Sequence, residues 1–423
     1  MNRKKRALAL LTAIGLLSVT LVGCSNDDEK NSGKTDKKSD KEITLMIPEW
    51  GIPSEELLEE FKEETGITVD VEAVVWDDIR DKVSIAAAGG KAPADVIEVD
   101  WSWVGEFDSA DWLEPIEISE EDIEAMPSIQ SFMVGDKVLA LPYANDYRIA
   151  YYNTKHYEEA GIENAPKTWD EVYQNAKVLK EKKVVDYPFS IPLSAEESST
   201  TALIWLTFVR EGKVFNDDNT LNKEAVLSTL EYMDKMNKEG LLDPSNRTSS
   251  GMDSYRKLTS GEASFMVGPT SFVGRVNDEG ESDVVGEVNP ILVPGKDDTA
   301  KQTFALPEGV GVSKYSENKK EAMEFVKWYN SEKIQEALYD ELNVIPTRTS
   351  VLEKLIEDEK IKNTGAMLEE SKLIRSPFPN GVPKYYSEMS KAIFDAINKM
   401  AIDQSSPEEA FNEMDSKVKE LAK

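Results

Sequence analysis

The sequence has almost no residues of the kinds that bind transition metals or form disulfides, since it contains one cysteine and one histidine in 423 residues. A zinc site of cysteine and histidine needs about four such ligands, and the lone Cys24 excludes an intramolecular disulfide. A catalytic triad could use only His156, which we expect at the surface early in a short helix, and no nucleophile elbow is present. The acidic loop 216–219 lacks the EF-hand spacing and is expected to be a surface turn. We therefore expect no metal, no cofactor and no catalytic residue.

The chain also has few basic residues, with 49 Lys and Arg against 80 Asp and Glu and a formal net charge of −31. Nucleic-acid binding needs clustered basic side chains that neutralise phosphates, so no nucleic-acid partner is expected. The same acidity opposes adhesion to an anionic lipid surface. A membrane link should therefore come through a covalent lipid rather than through charge.

One long apolar run occurs, over residues 7–22, directly after the basic stretch 3–6. A membrane span needs about 20 apolar residues, whereas a basic flank followed by a short apolar core indicates a secretory signal peptide. Gly23 and Cys24 end the run, and the pattern resembles a bacterial lipoprotein box. The resemblance implies a signal peptide over 1–23 and an acylated Cys24 that anchors the mature protein on the outer side of the cell membrane. A plain signal peptide with an incidental cysteine is the alternative.

Residues 24–42 form a stretch of Ser, Asn, Asp and Lys without large apolar residues, which predicts a flexible tether after the lipid. Strands then alternate with helical patterns, and the three predicted strands are 43–47, 67–73 and 95–99. Ser54 is a good N-cap for the first helix and Gly66 ends it. A second helix is predicted over 77–88. This alternation is typical of a parallel α/β sheet.

The pattern changes near residue 140, where strands are predicted at 137–141 and 148–152. Thr168 and Glu171 form a capping box before a helix that runs to about residue 182. The later predicted elements are a helix-rich stretch over 200–240, strands at 263–267, 288–293 and 310–312, and C-terminal helices, the last opened by Ser406.

Short motifs also follow one another in a recognisable order. They are Pro48-Glu49-Trp50, Thr65-Gly66-Ile67, Ile85-Ala86-Ala87-Ala88-Gly89-Gly90 before Pro93-Ala94-Asp95-Val96, Ala140-Leu141-Pro142-Tyr143, Tyr151-Tyr152-Asn153, Ala160-Gly161, Pro166-Lys167-Thr168-Trp169-Asp170-Glu171-Val172, Gly261-Glu262-Ala263-Ser264-Phe265-Met266 and Val344-Ile345-Pro346-Thr347-Arg348. In this order, and after a lipoprotein box, they resemble the maltose-binding-protein-like family of extracellular solute-binding proteins (family 1). Members of that family are receptor subunits of bacterial ABC sugar importers.

The resemblance implies an α/β fold of two lobes joined by a hinge, the type II periplasmic-binding-protein arrangement, in which each lobe is discontinuous. By analogy, residues 43–147 and 302–345 build the first lobe, and residues 148–301 and 346–423 build the second. It also implies a ligand cleft between the lobes and an ABC permease as partner.

Aromatic residues stand beside carboxylates and amides after several predicted strands, at the edge where α/β sheets bind ligands. Aromatic rings suit the C–H faces of a sugar, and carboxylates, amides and Arg hydrogen-bond its hydroxyl groups. The candidate ligand-binding residues are Glu49, Trp50, Asp100, Trp101, Tyr143, Asn145, Phe272, Glu308 and Arg375. Phe272 stands where members of the maltose-binding-protein-like family often place an aromatic residue that contacts the ligand. The tryptophans expected to serve packing are Trp76, Trp103, Trp112, Trp169, Trp205 and Trp328.

These features predict a lipid-anchored, extracytoplasmic, monomeric receptor. It would capture a carbohydrate, in particular an oligosaccharide, close over it by hinge bending, and deliver it unaltered to an ABC permease.

Three alternatives stay open on the residues alone. The ligand could be a polyamine, peptide or amino acid, because acidity suits a cation. The protein could be a secreted glycoside hydrolase, although no carboxylate pair stands out, or a surface adhesin or chemoreceptor partner.

Overall fold

The structure is a computed structural model, and it describes residues 41–361, 364 and 366–423. The predicted signal peptide, Cys24 and the tether up to residue 40 lie outside the described residues, so the lipid anchor stays a prediction. Among the described helices, none combines the length and the apolar character that crossing a bilayer requires.

The strands predicted at 43–47, 67–73 and 95–99 are confirmed within one or two residues. In chain order the strands of the described residues are β1 (Lys41–Ile47), β2 (Ile67–Ala73), β3 (Val96–Asp100), β4 (Leu113–Glu114), β5 (Met133–Val134), β6 (Lys137–Val138), β7 (Leu141–Ala144), β8 (Arg148–Asn153), β9 (Phe189–Ser190), β10 (Phe265–Pro269), β11 (Val288–Ile291) and β12 (Glu308–Ser313).

The helices begin where the sequence offers capping residues. Ser54 accepts the Leu57 N–H at the start of the first helix, and Thr168 with Glu171 forms the predicted capping box. In chain order the α-helices of the described residues are α1 (Glu55–Thr65), α2 (Trp76–Ala88), α3 (Val104–Ser109), α4 (Glu120–Ala125), α5 (Thr154–Glu159), α6 (Trp169–Glu181), α7 (Glu197–Glu211), α8 (Lys223–Lys238), α9 (Gly251–Thr259), α10 (Phe272–Arg275), α11 (Lys319–Tyr329), α12 (Glu332–Leu342), α13 (Thr349–Glu357), α14 (Met367–Ser371), α15 (Tyr386–Ala401) and α16 (Pro407–Leu421).

A six-stranded sheet forms the centre of the first lobe, in the order β2-β1-β3-β12-β4 with β7 also paired to β12. Strand β1 is parallel to both β2 and β3, as the alternation of strands and helices predicts. Strand β12 returns from far along the chain and runs antiparallel to β3. Because every residue of β3 is buried, this strand is covered on both faces, as central strands of α/β sheets are.

A four-stranded sheet forms the second lobe, in the order β11-β8-β10-β9. Here β8 runs antiparallel to its two neighbours, and β9 is parallel to β10. The two sheets confirm the predicted α/β fold with two lobes.

The single strand predicted over 137–141 is wrong, because the chain divides it between two pairings. Residues 137–138 form β6 in a hairpin with β5, whereas 141–144 form β7 against β12. Pro142 has no N–H to give to a second neighbour, so β7 pairs on one side.

Three segments connect the lobes and hydrogen-bond to one another. Tyr147 and Ala305 form an antiparallel bridge between the first and second crossings. The Arg148 N–H donates to the Phe304 carbonyl at 3.0 Å, and the Asn145 N–H donates to the Ile345 carbonyl of the third crossing at 2.9 Å. The crossings therefore lie side by side as one bonded strip between the sheets.

His156 is half-buried in α5 rather than free at the surface. Its Nδ1 lies 2.9 Å from Ser264 Oγ, just before β10, and burial lowers the pKa of the imidazole. The loop 216–219 is a turn as expected, since the Asn219 N–H bonds back to the Asn216 carbonyl. Within the described part of the chain, no group of three or more His, Cys, Asp or Glu residues is arranged to hold a metal ion.

Candidate functional site

A cavity of about 850 Å³ opens where the two lobes meet. The first lobe supplies residues that follow β1, end β2 and follow β3, while α7 supplies residues from the second lobe. The lining residues are Glu49, Trp50, Ile52, Ala73, Val74, Val75, Trp76, Asp100, Trp101, Ser102, Asp146, Glu197, Thr201, Leu306 and Glu308. The carboxyl ends of β1 and β3 thus face the cavity, which is the usual ligand edge of an α/β sheet.

Glu308 occupies this edge because β12 is antiparallel to β3, so the first residue of β12 lies beside the last residue of β3, Asp100. The Trp50 indole N–H and the Tyr143 hydroxyl, the latter at 3.0 Å, both donate to the same oxygen of Glu308. Burial, together with the charge of Asp100, raises the pKa of Glu308 to about 7, and the two donors oppose the shift. The donors therefore hold the carboxylate in one position at the cavity wall.

Asp100 and Glu197 face the same cavity from different lobes. Asp100 caps the 3₁₀ turn that follows β3 and accepts the Ser102 N–H at 2.8 Å and the Ser102 hydroxyl. Glu197, the first residue of α7, accepts the Tyr386 hydroxyl at 2.6 Å and the Ser390 hydroxyl. Burial raises the pKa of each carboxyl to about 7, and the charge of Glu197 adds to the shift at Asp100.

Glu98 lies on β3, two residues before Asp100, and is fully buried behind the cavity wall. Its carboxylate oxygens accept no hydrogen bond from the described residues. Burial raises its pKa well above the usual range, as do the charges of Glu308 and Asp100, while the nearby Tyr143 hydroxyl opposes the shift. An acidic group without a cationic partner therefore lies directly behind the acidic wall.

Three tryptophans border the cavity with different amounts of free surface. Trp50 is 46% exposed, whereas Trp101 is only 3% exposed. The Trp101 ring packs edge-on against Phe304 and Tyr386, at centroid distances of 5.1 and 4.9 Å. Trp76, expected to serve packing, opens α2 half-buried at the cavity wall. Trp50 and Trp76 therefore offer the aromatic surface that a ligand could cover.

The structure brings together five of the nine candidate residues, because Glu49, Trp50, Asp100, Trp101 and Glu308 all line this cavity. Each of them ends, follows or begins a strand of the first sheet.

The other four candidates do not line the cavity. Tyr143 is fully buried behind Glu308, and Asn145 is held in the crossing strip, where its carbonyl accepts the Thr270 hydroxyl at 3.2 Å. Phe272 is fully buried in the core of the second lobe, edge-on to Tyr255. Arg375 is exposed, and its guanidinium donates to the Ile374 carbonyl at 2.6 Å.

A family model described as bacterial extracellular solute-binding protein matches residues 50–336. The chain belongs to this family. The family is one of extracellular binding proteins for transport rather than of enzymes.

Two relatives of this solute-binding protein match it over nearly their whole length. The maltodextrin-binding protein MdxE of Bacillus subtilis is 22% identical over 98% of this chain and 98% of its own. The galactooligosaccharide-binding protein of the same organism is 22% identical over 97% of this chain and 95% of its own. Among solved structures, the sugar-binding protein MalE of Xanthomonas citri is similar with a TM-score of 0.76 at 19% identity, covering 90% of this chain and 97% of that one.

The candidate residues left out several that line the cleft of this solute-binding protein, among them Trp76, Asp146, Glu197 and Thr201. Trp76 was assigned to packing because it precedes a helix, yet the first residue after a loop at a strand edge is well placed to face a cleft. Glu197 and Thr201 are four residues apart on α7, a spacing that puts both on one helix face. The signal that could have found them is a carboxylate in the first turn of a helix whose residues 199–209 are all buried.

Proposed function

We infer that this solute-binding protein captures a carbohydrate outside the cytoplasm and delivers it, chemically unchanged, to an ABC permease. The observation that carries the inference is a cavity lined by aromatic rings and hydrogen-bond acceptors, with residues from both lobes. A polyhydroxylated ligand needs both kinds of surface, because its C–H faces are apolar and its rim donates hydrogen bonds.

The size of the cavity supports a ligand larger than one monosaccharide. Small-molecule sites occupy roughly 300–1,000 Å³, and this cavity of about 850 Å³ lies in the upper part of that range. Two relatives are named for binding a maltodextrin and a galactooligosaccharide. An oligosaccharide is therefore the ligand class that we propose.

Closure over the ligand follows from where the contacts lie. Trp50, Trp76 and Asp100 belong to the first lobe, whereas Glu197 and Thr201 belong to α7 in the second. A ligand that touches both groups gains its full set of contacts only when the lobes approach, so it favours the closed state. The bonded crossing strip is the hinge on which we propose that this motion turns.

We also propose that Cys24 carries a lipid and that the protein acts as a monomer at the outer side of the membrane. The lipoprotein-box pattern supports the anchor. Such an anchor keeps the receptor near its permease without any contribution from surface charge.

A thermal-shift panel tests the carbohydrate assignment. A ligand at roughly 100 times its dissociation constant adds about 2.7 kcal/mol to stability, so a bound saccharide should raise the melting temperature clearly. Maltooligosaccharides, galactooligosaccharides, amino acids, short peptides and spermidine would be compared. Trp50→Ala should weaken saccharide binding by about tenfold, which corresponds to about 1.4 kcal/mol.

Tyr315→Ala is the matched control, because Tyr315 is a partly exposed aromatic residue outside the cavity lining. This variant should bind as the wild type does. Stabilisation by amino acids, peptides or spermidine with no response to any saccharide would contradict the carbohydrate proposal.

A further inference from the structure

The cavity lining carries five carboxylates, and none of the described residues that line it is a Lys, Arg or His. Asp146 has a cationic partner, Arg148, at 2.8 Å, and Glu49 is exposed to solvent. The remaining three, Asp100, Glu197 and Glu308, each accept two hydrogen bonds that fix the carboxyl group at the cavity. Asp100 is buried and Glu308 is half-buried, whereas Glu197 keeps an exposed surface although the protein atoms around its carboxyl group desolvate that group.

These three carboxylates receive only neutral donors from the described residues. The donors are the N–H and hydroxyl of Ser102 for Asp100, the hydroxyls of Tyr386 and Ser390 for Glu197, and the Trp50 indole and Tyr143 hydroxyl for Glu308. Neutral donors fix the positions of the oxygens but do not balance their charge. Burial disfavours each ionised form, and the raised pKa values of all three groups reflect that cost.

Glu98 gives a second, independent indication that positive charge is missing. It is fully buried behind Asp100 and Glu308, and its oxygens have no hydrogen-bond partner among the described residues. A fully buried carboxyl group without a cationic partner favours its protonated form, and a cation bound in the cavity would favour the ionised form.

A neutral sugar hydroxyl can donate one hydrogen bond to such a wall and leaves its charge unbalanced. An ammonium group donates three hydrogen bonds and carries the opposite charge, and hydrogen bonds between ionised partners are roughly twice as strong as neutral ones. The acceptors of Asp100 and Glu197 come from different lobes, so one cation placed between them would also draw the lobes together.

We propose that the carbohydrate captured by this protein bears a protonated amino group, which binds between Asp100 and Glu197 with Glu308 and Glu98 close behind. This inference rests on the proposed carbohydrate function and narrows it to amino sugars. The aromatic surface of Trp50 and Trp76 would cover the sugar rings beside the amino group.

Two trisaccharides of the same length and linkage test the proposal. They are the β-1,4 glucosamine trimer and cellotriose, in which a hydroxyl replaces each amino group. Titration calorimetry on the full chain at about pH 7 should give an affinity for the glucosamine trimer at least about tenfold higher than for cellotriose. Spermidine serves as a cation without sugar rings, and maltotriose as a second neutral saccharide.

Glu197→Gln and Asp100→Asn should each cost at least about tenfold in affinity for the glucosamine trimer and less than about threefold for a neutral saccharide. Glu231→Gln is the matched control, since Glu231 is exposed on α8 outside the cavity lining. Thermal unfolding confirms that each variant is folded, and the second variant keeps the test valid if the first does not fold.

Cellotriose or maltotriose binding as tightly as the glucosamine trimer would overturn the amino-sugar proposal and leave the carbohydrate function intact. Binding of spermidine alone, or of no saccharide at all, would overturn both. Equal losses for charged and neutral saccharides in the two variants would reduce Asp100 and Glu197 to structural residues and also overturn the proposal.

Discussion

Single carboxyl groups in the cleft make the stability of this protein depend on pH. The folded-state pKa values of Asp100, Glu197 and Glu308 are each about 7, against ordinary values of 3.8 for Asp and 4.5 for Glu. Between these limits the folded state binds more protons than the unfolded state does. The free energy of unfolding therefore falls as the pH rises from about 4 to about 7.

Glu308→Gln should remove part of this dependence. The amide keeps an acceptor for Trp50 and Tyr143 but cannot ionise, so the variant should gain about 1–2 kcal/mol over the wild type at pH 8 and little at pH 5. Urea unfolding at the two pH values measures the difference, with Glu231→Gln as the control. A wild type and Glu308→Gln variant that lose equal stability between pH 5 and pH 8 would show that Glu308 ionises freely.

The backbone of α3 packs closely against the loop that leads into α15. A methyl group on Gly105 would lie 2.0 Å from the Val382 carbonyl oxygen and 2.7 Å from the Pro383 carbonyl carbon. Both obstacles are backbone atoms, which cannot move aside as a flexible side chain can. Only glycine therefore lets these two elements approach to this distance.

Gly105→Ala should push α3 and this loop apart. Overpacking of this kind costs about 1–3 kcal/mol, so we expect a lower melting temperature and weaker ligand binding. Gly274→Ala is the matched control, because Gly274 has no heavy atom within 4 Å of the added methyl position. Equal melting temperatures for the two variants would mean that α3 and this loop can move apart without loss of stability, which would contradict the prediction.

At the scale of the whole molecule, the folded body and the proposed anchor are separate parts of one receptor. The described body contains the cavity and the crossing strip, while Cys24 precedes it in the sequence. Ligand binding should therefore depend on the folded body alone, and attachment to the membrane should depend on Cys24 alone.

Cys24→Ser should move the protein from the membrane fraction to the medium, because no thiolate remains to be acylated. Cell fractionation and labelling with a tagged fatty acid measure this change. Affinity for the ligand should stay unchanged in the variant, which serves as an internal control for folding. A Cys24→Ser protein that stays in the membrane fraction would contradict the lipid anchor.

Local sequence patterns predicted much of the fold and part of the site. A short apolar stretch located β1, alternating apolar residues located β2, and the capping box at Thr168 located α6, because all three patterns depend on neighbours in the chain. Glu197 was missed because its place at the cavity depends on how α7 packs against a distant lobe. Phe272 was expected in the cleft because it follows a strand, but its ring turns into the core beside Tyr255. Pairings between distant segments decided both outcomes, and such pairings leave no local signal.

The hydrogen bonds within the strip of crossing segments restrict how the two lobes can move relative to each other. Its backbone hydrogen bonds tie Tyr147, Ala305 and their neighbours together, so the segments can twist but cannot slide past one another without breaking those bonds. A rotation of a few degrees in this strip would move the residues at the rim of the cleft by a larger distance, because displacement grows with distance from the pivot. A stiff pivot of this kind is compatible with a wide cleft opening, because small changes in backbone torsion suffice to let a ligand enter or to retain it.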